Sequence, residues 1–236
     1  MLCWPERTYF SVGHHQLPER ELDLAFCHEQ GYPVYQRQIG GGTVLLGPEQ
    51  LFYQHIVHTS RAPLRVEAIY RRSLAAPVEA LRALGLPAHL SGVNEIEVRG
   101  RRIAGTGGGQ IGQAMVVTGN ILLDFPYDLM VRAWRVPSPA FRELAAQGLR
   151  NSLTTLRREL GSQPPLTEVK GLLVRKFQET LACGLEPDTL TPAEEEAVAE
   201  AERELLAPSA YEPPVQSERV LKIARGVYVR DSPHGP

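Results

Sequence analysis

Apolar and polar residues alternate with period two along the first half of the chain and recur every three to four positions along the second. The first pattern belongs to half-buried strands and the second to amphipathic helices. "RTYFSVGHH" predicts a strand ending at Gly13. "LPERELDLAFCHEQGY" predicts one short helix, with Leu22, Leu24, Ala25 and Cys27 at its apolar positions and Gly31 as its stop. "PVYQRQ" and "QLFYQHIV" predict strands before and after the glycines Gly40, Gly41 and Gly42. "APVEALRALGL" predicts a helix with Pro77 in its first turn and Gly85 after its end. "NEIEVRGRRIAGTGGGQ" predicts a hairpin that turns at Gly100, its second arm running into Gly105, Gly107, Gly108 and Gly109. "AMVVTGNILLDF" predicts a further strand, interrupted at Gly119.

Beyond it the period becomes helical, through "YDLMVRAWRV", "SPAFRELAAQGLRNSLTTLRRELG" and "LTEVKGLLVRKFQETLACG". In "LTPAEEEAVAEAERELL", Thr191, Pro192 and Glu194 form a capping signature at the start of a solvated helix. From Ala207 the chain is Pro-rich and then offers one strand, "VLKIARGVYV". These elements predict an α+β fold: a mixed, mostly antiparallel sheet flanked by helices. One domain is expected over residues 1–206, with an extension over 207–236, and the two glycine-rich turns are expected to meet.

Composition narrows the function classes. With 43% apolar and 22% charged residues, a chain of 236 residues can bury a full core. A net charge of −2 gives no general attraction to nucleic acid or to anionic lipid. No apolar run approaches the roughly 18–20 residues of a membrane span, and "MLCWPERTYF" lacks the layout of a signal peptide. Cys3, Cys27 and Cys183 are odd in number and widely spaced, so a cytoplasmic location is expected, with neither a disulfide framework nor a metal site. Cys27 and Cys183 read as buried, inert thiols.

The candidate chemistry lies in the glycines and their arginines. Glycine turns bare backbone N–H groups, and a neighbouring guanidinium adds a fixed, forked positive charge. Arg37 accompanies Gly40–Gly42, and Arg101 and Arg102 accompany Gly105–Gly109. Such pairs suit a phosphate or carboxylate ligand. Neither is a phosphate loop, because no Lys-Ser/Thr and no helix follow directly, and neither opens a dinucleotide-binding helix.

In order and spacing, "YFSVGHHQ", "RQIGGGTVLLGPEQL", "NEIEVRGRRIAGTGGGQ" and "TGNILLDF" resemble the superfamily of lipoate–protein ligases, octanoyltransferases and biotin ligases. The ligase blocks look like "siGrxQ", "RRxSGGGAVxHDxGN", "NDixvxGrKisGsA" and "HGTLL". The resemblance implies a lipoate-ligase catalytic-domain fold. It also implies an activity: ATP, with Mg as counter-ion, activates lipoate or octanoate to an acyl-adenylate, and a lysine of a lipoyl-acceptor domain takes the acyl group. The site residues so implied are Gly13 and Gln16 of the first block and Arg37, Gly40, Gly41 and Gly42 along the acyl chain and adenylate. Asn94, Arg102, Gly105 and Thr106 would line the reactive carboxyl and phosphate, and Gly119 and Asn120 would close the site. An apolar groove is expected from Val44, Leu46, Ile121 and Leu123.

Four departures stand out. The block's lysine is Arg102, which keeps the cation but changes its geometry. The family's histidines are replaced at Leu46 and Thr118. His14 and His15 lie near the first block, whereas His55 and His58 read as structural. The downstream cysteine of the thioester-forming transferases has no counterpart in "LRNSLTTLRRELG". Finally, only "MLCWPER" precedes the first strand, which predicts either a displaced start or a sheet edge completed by a second subunit or a second copy. The alternatives to a lipoate ligase are therefore a catalytically impaired ligand-binding or partner subunit of a split ligase, octanoyl transfer from acyl carrier protein, favoured only by "GPEQL", and a biotin ligase.

Overall fold

The computed structural model describes residues 1–37, 41–206, 219–224 and 226–231. In chain order these form β1 (Leu2–Cys3), β2 (Tyr9–Val12), α1 (Pro18–Glu21), α2 (Leu24–Glu29), β3 (Val34–Gln36), β4 (Val44–Leu46) and β5 (Gln50–His58). Next come α3 (Val66–Ala83), β6 (Ala88–Ser91), β7 (Glu95–Val98), β8 (Arg101–Ile111) and β9 (Ala114–Leu122). The helices α4 (Tyr127–Ala133), α5 (Pro139–Ser152), α6 (Leu156–Leu160), α7 (Leu166–Leu181) and α8 (Pro192–Leu206) lead to β10 (Val220–Ala224) and β11 (Val227–Arg230). The chain divides into two compact units: residues 1–5, 48–125 and 150–185, and residues 6–47, 126–149 and 186–236.

The first unit is built on a six-stranded sheet in the order β1-β5-β9-β8-β7-β6, antiparallel throughout. Leu51 and Tyr53 of β5, Ile96 of β7, Ala104 of β8 and Val117 and Ile121 of β9 join Leu74, Leu81, Leu173 and Phe177 of α3 and α7 in one core. Residues paired across an antiparallel ladder share a face. The face that carries Leu51, Tyr53 and Ile121 is thus the one covered by helices, and the partners Phe52, Asn120 and Gly105 lie on the other. The second unit holds a three-stranded sheet, β3-β2-β4, in which β2 runs parallel to β3 and antiparallel to β4.

The α+β architecture and the mostly antiparallel sheet are as the patterning indicates, but several boundaries differ. Helix α3 starts at Val66, so Pro77 lies well inside it rather than in its first turn. An interior proline costs about 3 kcal/mol and removes the hydrogen bond to residue 73. Burial of Ala76, Pro77, Val78, Ala80 and Leu81 offsets this. The first predicted helix is two, because Leu22 leaves helical geometry to bridge Trp134 and Asp23 then caps α2 by accepting from the Phe26 amide. Likewise α5 and α6 are separate: Leu153 bridges Arg102, Thr155 caps α6 and Gly161 ends it at φ +81°. The second glycine cluster is not a turn. Gly105–Gly109 form extended backbone within the eleven-residue β8, and β9 runs unbroken through Gly119. The tail offers two paired strands, β10 and β11, where one was expected, while residues 207–218 fall outside the described residues. Cys27 is buried as expected, but Cys183 is exposed beyond the end of α7.

Candidate functional site

On the face of the first unit's sheet opposite its helices a polar row crosses four strands. Gln50, only 2% exposed, accepts from Asn120 Nδ2 at 2.8 Å, and Asn120 Oδ1 accepts from the Gly105 amide at 3.2 Å. Gly105 is paired in turn with Glu95 of β7. At this point a β-bulge changes the phase of β8: Ile96 pairs with Ala104, whereas Glu97 pairs with Arg102. The extra residue, Ile103, stays in the core, and Arg102 is turned onto the face of Glu95 and Gly105. Arg102 Nη1 lies 3.7 Å from Glu95 Oε1, an ion pair longer than a normal hydrogen bond. The Arg102 side chain is 28% exposed; burial lowers its pKa and Glu95 pulls it back up.

Asn94 and Thr106 hold one another: Asn94 Nδ2 donates to the Thr106 carbonyl at 3.2 Å, and Thr106 Oγ1 donates to the Asn94 carbonyl. Thr106 is paired with Gly119, and Gly119 with Tyr53, so both lie on the helix-covered side. A Cβ at Gly119 would come within 2.3 Å of Tyr53 Oη and 2.8 Å of Thr106 Cγ2, which makes this glycine a packing requirement. Ile121 and Leu123, expected to line a groove, are 0% and 1% exposed within the core. The structure therefore brings together Arg102, Gly105 and Asn120, latches Asn94 to the same strand, and places Thr106 and Gly119 on the opposite face.

In the second unit, Arg37 organises the first glycine segment. Its Nη1 donates to the Ser11 carbonyl at 3.0 Å and to Ser11 Oγ at 3.3 Å, and its Nη2 donates to the Gly42 carbonyl at 2.7 Å. Gly41 adopts φ +110°, and a Cβ on it would meet Arg37 Nη2 at 2.8 Å. Gly13 approaches so closely that its Cβ would sit 2.0 Å from the Gly41 carbonyl oxygen. Gln16 Oε1 accepts from the Gly13 amide at 2.9 Å and from Thr43 Oγ1 at 3.2 Å. Gly13, Gln16, Arg37, Gly41 and Gly42 thus lie in one cluster, joined by these hydrogen bonds and by the close approach of Gly13 to Gly41, while Gly40 lies outside the described residues. Val44, 36% exposed, and Leu46 lie on the adjoining β4. Among the described residues no group of His, Cys, Asp and Glu could hold a metal, and no helix is long and apolar enough to cross a membrane.

The model of the lipoyl protein ligase A/B catalytic domain matches residues 1–178. The chain belongs to this family. Its relatives include lipoate-protein ligase A subunit 1 of Thermoplasma acidophilum, 26% identical over 199 residues, covering 80% of this chain and 74% of that one. Another is the octanoyltransferase LipM of Symbiobacterium thermophilum, 27% identical over 207 residues, with 78% and 75% covered. Among solved structures, the bipartite lipoate protein ligase of T. acidophilum, described with its E2 lipoyl domain, superposes with a TM-score of 0.74 at 25% identity, covering 82% of this chain and 75% of that one. A lipoate-protein ligase A bound with ATP shares the fold, with a TM-score of 0.67 at 24% identity and coverage of 82% and 77%.

For a lipoyl ligase or transferase the thiols matter, since a thioester needs an accessible thiolate. Cys27 is buried and its thiol is raised by desolvation and then by Asp23. Cys3, also raised by desolvation, pairs with Phe52, which pairs with Asn120 and then Gly105. Three strand intervals therefore separate it from β8, roughly 14 Å. The sequence reading missed Gln50, which anchors Asn120, and Glu95, the partner of Arg102. Glu95 belongs to the alternating "EIEV", but phase counted from the Gly100 turn would set it opposite Ala104; the bulge moves it opposite Gly105.

Proposed function

We propose that the chain is a lipoate–protein-ligase-type enzyme that binds an acyl-adenylate of lipoate or octanoate and passes the acyl group to a lysine of a lipoyl-acceptor domain. The observation that carries this reading is Arg102, turned by the bulge onto the face of β8 opposite the helices and held by Glu95 at 3.7 Å. ATP would supply the activation, its α-phosphate forming the mixed anhydride as pyrophosphate leaves. The chain's residues fit such an anion. A partly desolvated guanidinium offers forked donors to phosphate or carboxyl oxygens, and its charge is worth more there than in water. Side-chain-free backbone at Gly107 and Gly109, with open space where a Cβ would stand, lets a flat group approach the strand. In the transfer step a lysine amine attacks the acyl carbon, the acyl–oxygen bond breaks and AMP departs, so the cation's task is to stabilise the leaving phosphate. Arg37 would act indirectly, by holding Gly41 and Gly42 in place.

The test is incubation with ATP, octanoate or lipoate and an apo-lipoyl domain, read by mass spectrometry. An acyl mass increment on the domain's lysine is expected. Absence of transfer together with absence of ligand binding would end the reading. A second reading is favoured by the Thermoplasma relative, whose name gives it as one subunit and whose ligase is bipartite. On that reading this chain needs a partner chain, and transfer appears only on co-expression with it; robust turnover by the isolated chain would dismiss it. Octanoyl transfer through a thioester is opposed by the absence of a cysteine from "LRNSLTTLRRELG", where the resembling transferases carry theirs.

A further inference from the structure

Beside Arg102 lies a buried carboxylate that the proposed chemistry does not use. Glu159, near the end of α6, is 2% exposed by side chain. It receives Arg101 Nη2 at 2.8 Å, Thr154 Oγ1 at 2.5 Å and Arg99 Nη1. An internal charge of this kind is retained only when its hydrogen bonds are satisfied, and three donors from two different chain segments satisfy this one. Both segments flank Arg102. Arg101 precedes it on β8, and Arg99 sits in the tight turn between β7 and β8, at φ +51°. Leu153 bridges Arg102 itself, and the Thr154 amide donates to the Arg102 carbonyl at 2.9 Å. A single carboxylate therefore ties the start of β8 on one side and the residues bridging Arg102 on the other, next to the bulge that decides which face Arg102 occupies.

We infer that Glu159 is a positioning residue for Arg102: the Glu159–Arg99–Arg101–Thr154 clamp fixes the β8 bulge and so directs the guanidinium toward an anionic ligand. Glu159 touches no ligand itself. The inference rests on the reading of Arg102 given above. Geometry near a reacting or binding centre is exacting, and a displacement of about 1 Å can cost on the order of 100-fold.

The experiment measures the Kd of octanoyl-sulfamoyl-adenosine, a non-hydrolysable acyl-adenylate analogue, for the full chain and for Glu159→Gln, Glu159→Asp, Arg102→Ala and the Arg102→Ala/Glu159→Gln pair. Circular dichroism confirms folding of each. Glu159→Gln is expected to weaken binding about 10-fold or more, Glu159→Asp to recover part of the loss, and the double variant to bind no more weakly than Arg102→Ala alone. Wild-type affinity in folded Glu159→Gln, or losses that add in the double variant, would overturn the positioning role while leaving Arg102 standing. Failure of Arg102→Ala to weaken binding would overturn the reading of Arg102, and the positioning role with it. If Glu159→Gln does not fold, Thr154→Val and Arg101→Gln replace it, with the same cycle against Arg102→Ala.

Discussion

Arg37 illustrates how a residue read as a ligand contact can act one step removed. Its guanidinium is committed to Ser11 and Gly42, and its pKa is lowered by desolvation. Arg37→Ala should therefore destabilise the second unit by about 2–4 kcal/mol, as expected when charged donors leave neutral acceptors unpaired, and denaturant unfolding measures it. Arg37→Lys should recover little, since one ammonium cannot replace the fork. Tyr53 and Gly119 make a second pair. The Tyr53 hydroxyl is buried without a hydrogen-bond partner among the described residues, and its pKa is driven far upward by desolvation. Tyr53→Phe should be neutral or stabilising, whereas Gly119→Ala should cost roughly 1–3 kcal/mol through overpacking against the Tyr53 ring. Both are read from shifts in the denaturation midpoint.

The elements most legible in the sequence were those with a clean period: β7, the start of β8, α7, and α8 with its capping box, where Thr191 and Glu194 exchange backbone and side-chain hydrogen bonds. What was not legible depended on partners distant in sequence. Pro77 signals a helix start locally, but packing carries α3 through it. Consecutive glycines signal a turn locally, but pairing with β9 keeps them extended. The bulge at Arg102 cannot be seen from alternation alone, because a β-bulge changes strand phase without any signature residue. The clamp around Glu159 belongs to the same level, linking α6 to the β7–β8 turn. Burial acts to raise the Glu159 pKa, but hydrogen bonds from Thr154, Arg101 and Arg99 hold it below the ordinary carboxylate value. A lowered folded-state pKa means the stabilisation is present above the unfolded value, about pH 4.3, and is lost as pH falls through the folded one. Urea midpoints taken from pH 7 down to pH 3 should fall more steeply for the wild type than for Glu159→Gln. Parallel curves would show that the clamp carries no such linkage.

For the whole molecule, family membership and the α+β fold follow from the ordered sequence blocks and from the match over residues 1–178, and the six-stranded antiparallel sheet gives the fold its frame. On the proposed reading, Arg102 stands where the ligase block it resembles has a lysine, which would keep a cation at that point of the sheet while changing how it grips oxygen. A forked guanidinium suits a bound acyl phosphate, and a charged hydrogen bond to it is worth about 1.5–3 kcal/mol, or about 10- to 100-fold in affinity. The decisive measurement is the binding of octanoyl-sulfamoyl-adenosine to the wild type and to Arg102→Ala by isothermal titration calorimetry. Saturable one-to-one binding that weakens by about 10- to 100-fold in the variant is the predicted result. Equal affinity in the two proteins, or no binding by either, would contradict the account.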